Sequence, residues 1–429
     1  MNKTEKIKYQ FTLAFAQEQD QKDPLKKYRE QFYFPQHEGK NVLYFTGNSL
    51  GLQPKSTSKY IQQELDDWAK YGVEGHFHAK NPWYSYHEQF AEPLAKIVGA
   101  KPHEVVAMNQ LTVNLHLLMV SFYRPSKNRY KIICETKAFP SDQYALESQV
   151  KHYGHSPDIA IIEAKPRPKE HTLRTEDILS LIDEHSDTLA LVMMGGVNYY
   201  TGQVFEMDKI TAAAHKAGAF VGFDLAHAVG NIKLKLHEWN VDFACWCSYK
   251  YLNSGPGGVA GIYVHEKHAT NKNIPRFAGW WGHNKEVRFK MEKGFDPIPT
   301  AESWQLSNAP VLSMAAHKAA IDMFDEVGMD ALCEKRDKLT GYLEFIIDSI
   351  NEEKGGNVLE IITPRDKKHR GAQLSIIAHG QGKDLFNRLM AKGVVPDWRE
   401  PNVIRLAPVP FYNSFEDIYR FGEILKAEL

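Results

Sequence analysis

From about residue 130 the chain alternates short apolar runs with longer stretches whose apolar positions recur every three or four residues. The short runs are Lys131 to Cys134, Ile159 to Ile162, Thr188 to Met194, Phe220 to Phe223, Phe243 to Cys247 and Val259 to Val264. Being apolar on both faces, they predict buried strands. Between them, about Ser141 to Tyr153, Thr175 to His185 and Lys209 to Ala217 predict amphipathic helices. This alternation predicts an α/β fold with a mostly parallel central sheet covered by helices on both faces, and ligands in such folds sit at the carboxyl ends of the strands.

The flanking segments read differently. Residues 1–40 are polar with scattered aromatics and predict a helical arm that packs on something larger. Val42 to Thr46 predicts a strand entering a shaped loop, Gly47-Asn48-Ser49-Leu50-Gly51, and Ile61 to Lys70 an amphipathic helix. Beyond Trp304 the pattern changes to long amphipathic helix over 311–353. Strands at Asn357 to Ile362, Gln373 to Ala378 and Val403 to Leu406 then predict a small α+β domain. The expected organisation is an arm at 1–40, a large domain at 41–309 and a small C-terminal domain at 310–429.

Composition narrows the partners. With 429 residues, 43% of them hydrophobic, and a formal net charge of -1, nothing favours nucleic acid or an anionic membrane surface, which leaves a small molecule. No apolar stretch approaches the ~20 residues needed to span a bilayer, and the N-terminus lacks the apolar run of a signal peptide. The four cysteines (Cys134, Cys245, Cys247, Cys333) read as reduced, buried thiols, so a cytoplasmic location is expected.

Candidate chemistry gathers at the predicted strand ends. Lys250 stands between the apolar run Phe243 to Cys247 and the turn Gly255-Pro256-Gly257-Gly258. Desolvation there favours a neutral amine able to form a Schiff base with a carbonyl, which suggests pyridoxal phosphate. Asp224 ends another apolar run, and a buried carboxylate needs a cation, either a structural Arg or Lys or a protonated pyridine nitrogen. Thr112 opens an apolar helix, as an ordinary N-cap or beside amides that attract a phosphate. Phe139, Ser141 and Asp142 could stack on and bond to a flat ring, or could simply cap a helix. Gly195 begins a glycine-framed loop that allows close backbone approach. The indoles of Trp280 and Trp281 suit a core, a phosphate or a partner subunit. Arg405 wants a carboxylate in its apolar strand, structural or from a substrate. His76 and His78 alternate like metal ligands, but no third ligand lies at usable spacing, so no metal is expected.

Six motifs occur in order: Tyr44 to Pro54 (YFTGNSLGLQP), Asn109 to His116 (NQLTVNLH), Phe139 to Tyr144 (FPSDQY), Phe223 to Asn231 (FDLAHAVGN), Asp242 to Asn253 (DFACWCSYKYLN) and Leu406 to Phe415 (LAPVPFYNSF). Together they closely resemble the kynureninase family from about residue 40 to the C-terminus. More distantly the chain looks like the aminotransferase-like fold type I enzymes that include cysteine desulfurases. The resemblance implies pyridoxal 5'-phosphate on Lys250, Asp224 at the pyridine nitrogen, Phe139 on the ring, and Ser141, Asp142 and His227 close by. It implies phosphate contacts from Leu111, Thr112 and Tyr249, with Trp280 and Asn308 supplied by the other subunit of a homodimer. Gly195 stands where the family usually has a small hydroxyl residue, a departure that puts one cofactor contact in question. Arg405 would take the substrate carboxylate, and Ser49, His76 and Asn308 would also face the substrate.

The implied reaction is hydrolysis of kynurenine or 3-hydroxykynurenine to an anthranilate and L-alanine. Lys250 would remove the α proton, and Tyr249 would relay a proton through a phenol shifted toward neutral pH. His76 and Asn308 suggest a preference for the 3-hydroxylated substrate. Two rivals remain: another enzyme of the same fold, such as an aminotransferase or desulfurase, and a non-catalytic binding protein that kept it. A desulfurase needs a mobile cysteine, and none of the four sits in a suitable loop.

Overall fold

The computed structural model describes residues 7–429. It divides into two compact units: one formed by the chain up to Lys55, Tyr200–Gly202 and Asp330–Leu429, the other by Ser56–Tyr199 and Gln203–Met329. The expected boundary at 309/310 therefore falls near residue 329, and the expected arm belongs to the same unit as the C-terminal segment. The reason is local. Val311–Glu353 is helical throughout except at Gly328, whose φ of 75° and ψ of 153° break the helix, and a continuous apolar period hides that break.

The Ser56–Met329 unit is built on a seven-stranded sheet. Across it lie Val105–Ala107, Gly261–Val264, Phe243–Trp246, Phe220–Asp224, Leu189–Gly195, Lys131–Glu135 and Ile161–Ala164. Only Gly261–Val264 runs against its neighbours, so the sheet is mostly parallel, as the apolar runs imply. Ile161–Ala164 starts later than predicted because Pro157–Ala160 forms a helical turn with proline at its start. Val105–Ala107, at one edge, is too short for the pattern to reveal.

Packing explains two sequence features of this sheet. Phe243 stacks on Phe122 of the Leu111–Phe122 helix at 4.6 Å between ring centroids. A Cβ on Gly222 would lie 2.1 Å from the Phe243 ring, so the glycine inside that strand makes room for an aromatic on the next one.

The other unit carries a four-stranded antiparallel sheet in the order Leu359–Ile361, Leu374–Ala378, Val403–Leu406, Asp397–Arg399. Leu339, Tyr342, Leu343, Ile346, Ile347 and Ile350 pack into its core at helical spacing. The predicted arm packs on this unit: the Leu13–Gln21 helix buries Phe15 and Ala16, and the Phe15 ring meets Tyr342 at 5.4 Å. Asp20 accepts the Phe415 and Glu416 amides at 2.7 and 2.9 Å, satisfying free donors at the start of the Phe415–Glu428 helix. Residues 1–6 of the expected arm lie outside the described residues. No helix among the described residues is long and apolar enough to cross a membrane.

Candidate active site

Four adjacent parallel strands end, or pass into loops, at one cavity of the Ser56–Met329 unit. Lys131–Glu135 ends in Glu135, Leu189–Gly195 in Gly195 and Phe220–Asp224 in Asp224, while Phe243–Trp246 leads into Cys247, Tyr249 and Lys250. Two helix starts complete the wall. Leu111 and Thr112 open the Leu111–Phe122 helix, and Ser141 and Asp142 lie in the first turn of Pro140–His152.

Ten of the sequence-predicted residues meet here: Leu111, Thr112 and Phe139, then Ser141, Asp142 and Gly195, then Asp224, His227, Tyr249 and Lys250. Lys250 Nζ lies 3.0 Å from His227 Nε2 and 5.7 Å from the centroid of the Phe139 ring. The Thr112 and Ser141 hydroxyls are 2.7 Å apart. The helix at Thr112 is capped by Gln110 without a side-chain bond, so Thr112 is not its N-cap and the leading amides keep their donors. Phe139 is likewise the N-cap residue of its helix, which places Ser141 and Asp142 inside the helix rather than before it.

Electrostatics set the character of the cavity. Among the described residues lining it, Lys250 is the one lysine or arginine, against the three buried carboxyls Glu135, Asp142 and Asp224. Burial raises the Asp224 pKa even though the Asp142 contact, the Ala226 amide at 2.7 Å and the Lys250 charge lower it. Asp142 is pushed well up by burial and by the neighbouring Asp224 and Glu135 carboxyls, and its Oδ1 is buried without a hydrogen-bond donor. A site with more buried acid than base suits a cationic ligand atom.

Tyr249 corrects an expectation. Its phenol is pushed up, not toward neutrality, by burial and then by the Cys247 thiol beside it, so it keeps its proton at physiological pH. The remaining predicted residues lie elsewhere. Trp280 is 47% exposed and its indole donates to the Arg288 carbonyl at 3.2 Å, whereas Trp281 is buried under the Arg288 guanidinium. Asn308 is exposed, and half-buried His76 donates from Nδ1 to the Val73 carbonyl at 2.9 Å. Ser49 and Arg405 belong to the other unit. There Ser49 lines a shallow cleft with Tyr44 and Asp397, and fully buried Arg405 pairs with Asp397 at 2.5 Å across adjacent strands. Sequence reasoning missed Glu135, although its signal, a carboxylate closing an apolar run, is the one that singled out Asp224.

The cavity suits pyridoxal phosphate in each of its parts: an amine for the aldehyde, a desolvated carboxyl for a pyridinium, free helix amides and hydroxyls for a phosphate, and an aromatic for the ring. Similarity to known proteins agrees. The DegT/DnrJ/EryC1/StrS aminotransferase family matches residues 78–237. Among solved structures, the cysteine desulfurase CsdA from Escherichia coli superposes with a TM-score of 0.74 at 15% identity, covering 94% of this chain and 98% of that one. The cysteine desulfurase from Thermococcus onnurineus gives 0.73 at 18%, covering 90% and 94%. Fold and cavity define an aminotransferase-like, fold type I pyridoxal phosphate enzyme.

Closer relatives narrow the class. The kynureninase of Flavobacterium psychrophilum is 64% identical over 97% of this chain and 98% of its own. That of Christiangramia forsetii is 60% identical over 98% and 99%, and that of Nematostella vectensis 50% over 96% and 93%. The Kynureninase C-terminal domain family matches residues 332–425. The chain belongs to the kynureninase family, the pyridoxal phosphate-dependent hydrolases of carbon-carbon bonds in ketonic substances.

Proposed function

We propose that the Lys250 cavity is the catalytic site, and that its preferred reaction is hydrolysis of 3-hydroxykynurenine to 3-hydroxyanthranilate and L-alanine. The observation that carries this reading is the convergence of Lys250, beside His227, with buried Asp224 at the ends of neighbouring parallel strands. Pyridoxal phosphate, when bound, supplies an electron sink for the pair left when a substrate C–H bond breaks. The chain's residues do the rest. Lys250 Nζ takes the α proton, with His227 Nε2 holding the amine in place. Asp224, stripped of water, would pair with the ring nitrogen, and Phe139 would cover the ring. The Leu111–Thr112 helix start and Ser141 would hold the phosphate. Water adds to the aryl ketone of the substrate, and as the bond from that carbon to the β carbon breaks, Tyr249, whose phenol keeps its proton, donates it to the β carbon. Arg405 is assigned the substrate carboxylate, and Ser49 a substrate contact, by the family resemblance.

The substrate preference has a physical support in His76. Because Nδ1 donates to the Val73 carbonyl, Nε2 is the ring nitrogen that can meet a phenolic hydroxyl on the substrate ring. Exposed Asn308 is the second polar group assigned there. A homodimer is supported by the exposure of Trp280 and of the aromatic surface around it, and a cytoplasmic location by four buried cysteine thiols.

Two measurements test the reading. Borohydride reduction followed by peptide mass spectrometry is expected to fix the cofactor on Lys250, and a label on another lysine overturns the site. Purified enzyme is expected to release 3-hydroxyanthranilate and alanine with a kcat/KM at least about tenfold above that for kynurenine. Equal or reversed values overturn the preference.

A further inference from the structure

Glu135 has no part in the roles above, yet its side chain is one of the most constrained in the cavity. It closes the Lys131–Glu135 strand, is 5% exposed, and accepts the Gly195 amide on both carboxyl oxygens at 3.1 Å. The adjoining glycine is fitted to it: a Cβ at residue 195 would stand 2.9 Å from Glu135 Oε1, tighter than real Cβ contacts. The carboxyl thus occupies the volume that any side chain at 195 would enter, beside Asp142 and Asp224.

Charge decides the form it takes. Three carboxyls share a cavity with one lysine, and a pyridinium would add one further cation, so the set is acidic by one charge if all three ionise. Burial pushes Glu135 up to about 7, outweighing the lowering by its own backbone amide and that of Gly195, and the Asp224 charge adds to the rise. A protonated carboxyl is a hydrogen-bond donor as well as an acceptor.

We propose that Glu135 is a further cofactor-contacting residue: a carboxyl, locked by the Gly195 amide, that donates its hydrogen bond to the bound cofactor on the side opened by the glycine. The inference rests on the reading of this cavity as the cofactor site, which the borohydride label on Lys250 tests separately.

The experiment titrates cofactor-stripped enzyme with pyridoxal phosphate and reads the dissociation constant by visible absorbance, for the parent, Glu135→Ala, Glu135→Gln, Gly195→Ala and the double variant Glu135→Ala/Gly195→Ala. Loss of the donor in Glu135→Ala is expected to weaken binding by about tenfold. Glu135→Gln, whose amide donates from the same place, is expected to stay within about threefold of the parent. Gly195→Ala is expected to weaken binding in the parent background and to add nothing once Glu135 is alanine. The proposal is overturned if Glu135→Ala binds as tightly as the parent, if Glu135→Gln is as weak as Glu135→Ala, or if the losses in the double variant add. The glutamine variant preserves shape and decides by itself if the alanine variants fail to fold: binding more than about threefold weaker than the parent then overturns the proposal. A label fixed on a lysine other than Lys250 would instead mean that the cavity reading has failed.

Discussion

At the scale of single residues, burial decides what each side chain can contribute. Tyr249 adjoins Lys250 in sequence and lines the same cavity, but its phenol is raised by desolvation and by Cys247, which makes it a holder of a proton at neutral pH rather than a base. Tyr249→Phe keeps the ring and removes that proton. It is expected to lower kcat by about 10² or more while the enzyme retains its visible cofactor absorbance. Unchanged kcat with a weakened cofactor dissociation constant would reduce Tyr249 to a phosphate ligand. The sequence supplied the identity of this residue through its place beside Lys250. It did not supply the sign of the pKa shift, because that depends first on the burial of the phenol in the folded chain and then on the Cys247 thiol held against it.

At the scale of elements, the positions that hold the sheet together are polar, and the apolar pattern passes over them. Asp242 immediately precedes the Phe243–Trp246 strand, is 1% exposed, and gathers the Val221 amide at 2.8 Å, His215 at 2.9 Å, His268 at 2.7 Å and Lys267 at 2.9 Å. Burial alone would raise its pKa, but the two histidine hydrogen bonds and the Lys267 charge outweigh it and hold it far below the usual carboxylate range. A depressed folded-state pKa contributes stability that is complete above about pH 4 and is lost as the pH falls from there toward the folded value. Asp242→Asn is therefore expected to cost about 3–5 kcal/mol at pH 7 in urea unfolding followed by tryptophan fluorescence. The deficit should shrink below about pH 4, and a pH-independent difference would assign the loss to packing. Legibility follows the same division. The parallel strands, their helices and the carboxyl-end motifs were readable because their signals lie within a few residues. Partners brought from elsewhere in the chain were not: His215 and His268 at Asp242, Phe243 against Gly222, Gly195 against Glu135, and the break at Gly328 that moves the domain boundary.

At the scale of the whole molecule, one surface of the Ser56–Met329 unit gathers exposed aromatic side chains. Phe77, Trp280, Phe289 and Met291 are 55%, 47%, 54% and 73% exposed. The rings form a chain, with Phe77 stacked on Tyr84 at 5.9 Å, Tyr84 tilted against Phe289 at 5.8 Å, and Phe289 edge-on to Trp280 at 5.4 Å. Exposed side chains of this size in contact mark an interface more often than scattered single hydrophobics do. Aromatic residues are also the anchors on which such interfaces concentrate their energy. The occupant argued for is a second copy, because the residue at the end of the chain of rings, Trp280, is the one that the family resemblance assigns to the neighbouring subunit's phosphate. Phe289→Asp places a charge in this surface without touching the Lys250 cavity, and sedimentation velocity at micromolar concentration is expected to show a dimer for the parent and a monomer for the variant. If Trp280 completes the partner's site, the monomer should also bind pyridoxal phosphate at least about tenfold more weakly, since a phosphate contact is lost without any change in the chain that carries Lys250. A dimeric Phe289→Asp protein would remove this surface from the interface, and a monomer with parental cofactor affinity would remove Trp280 from the site.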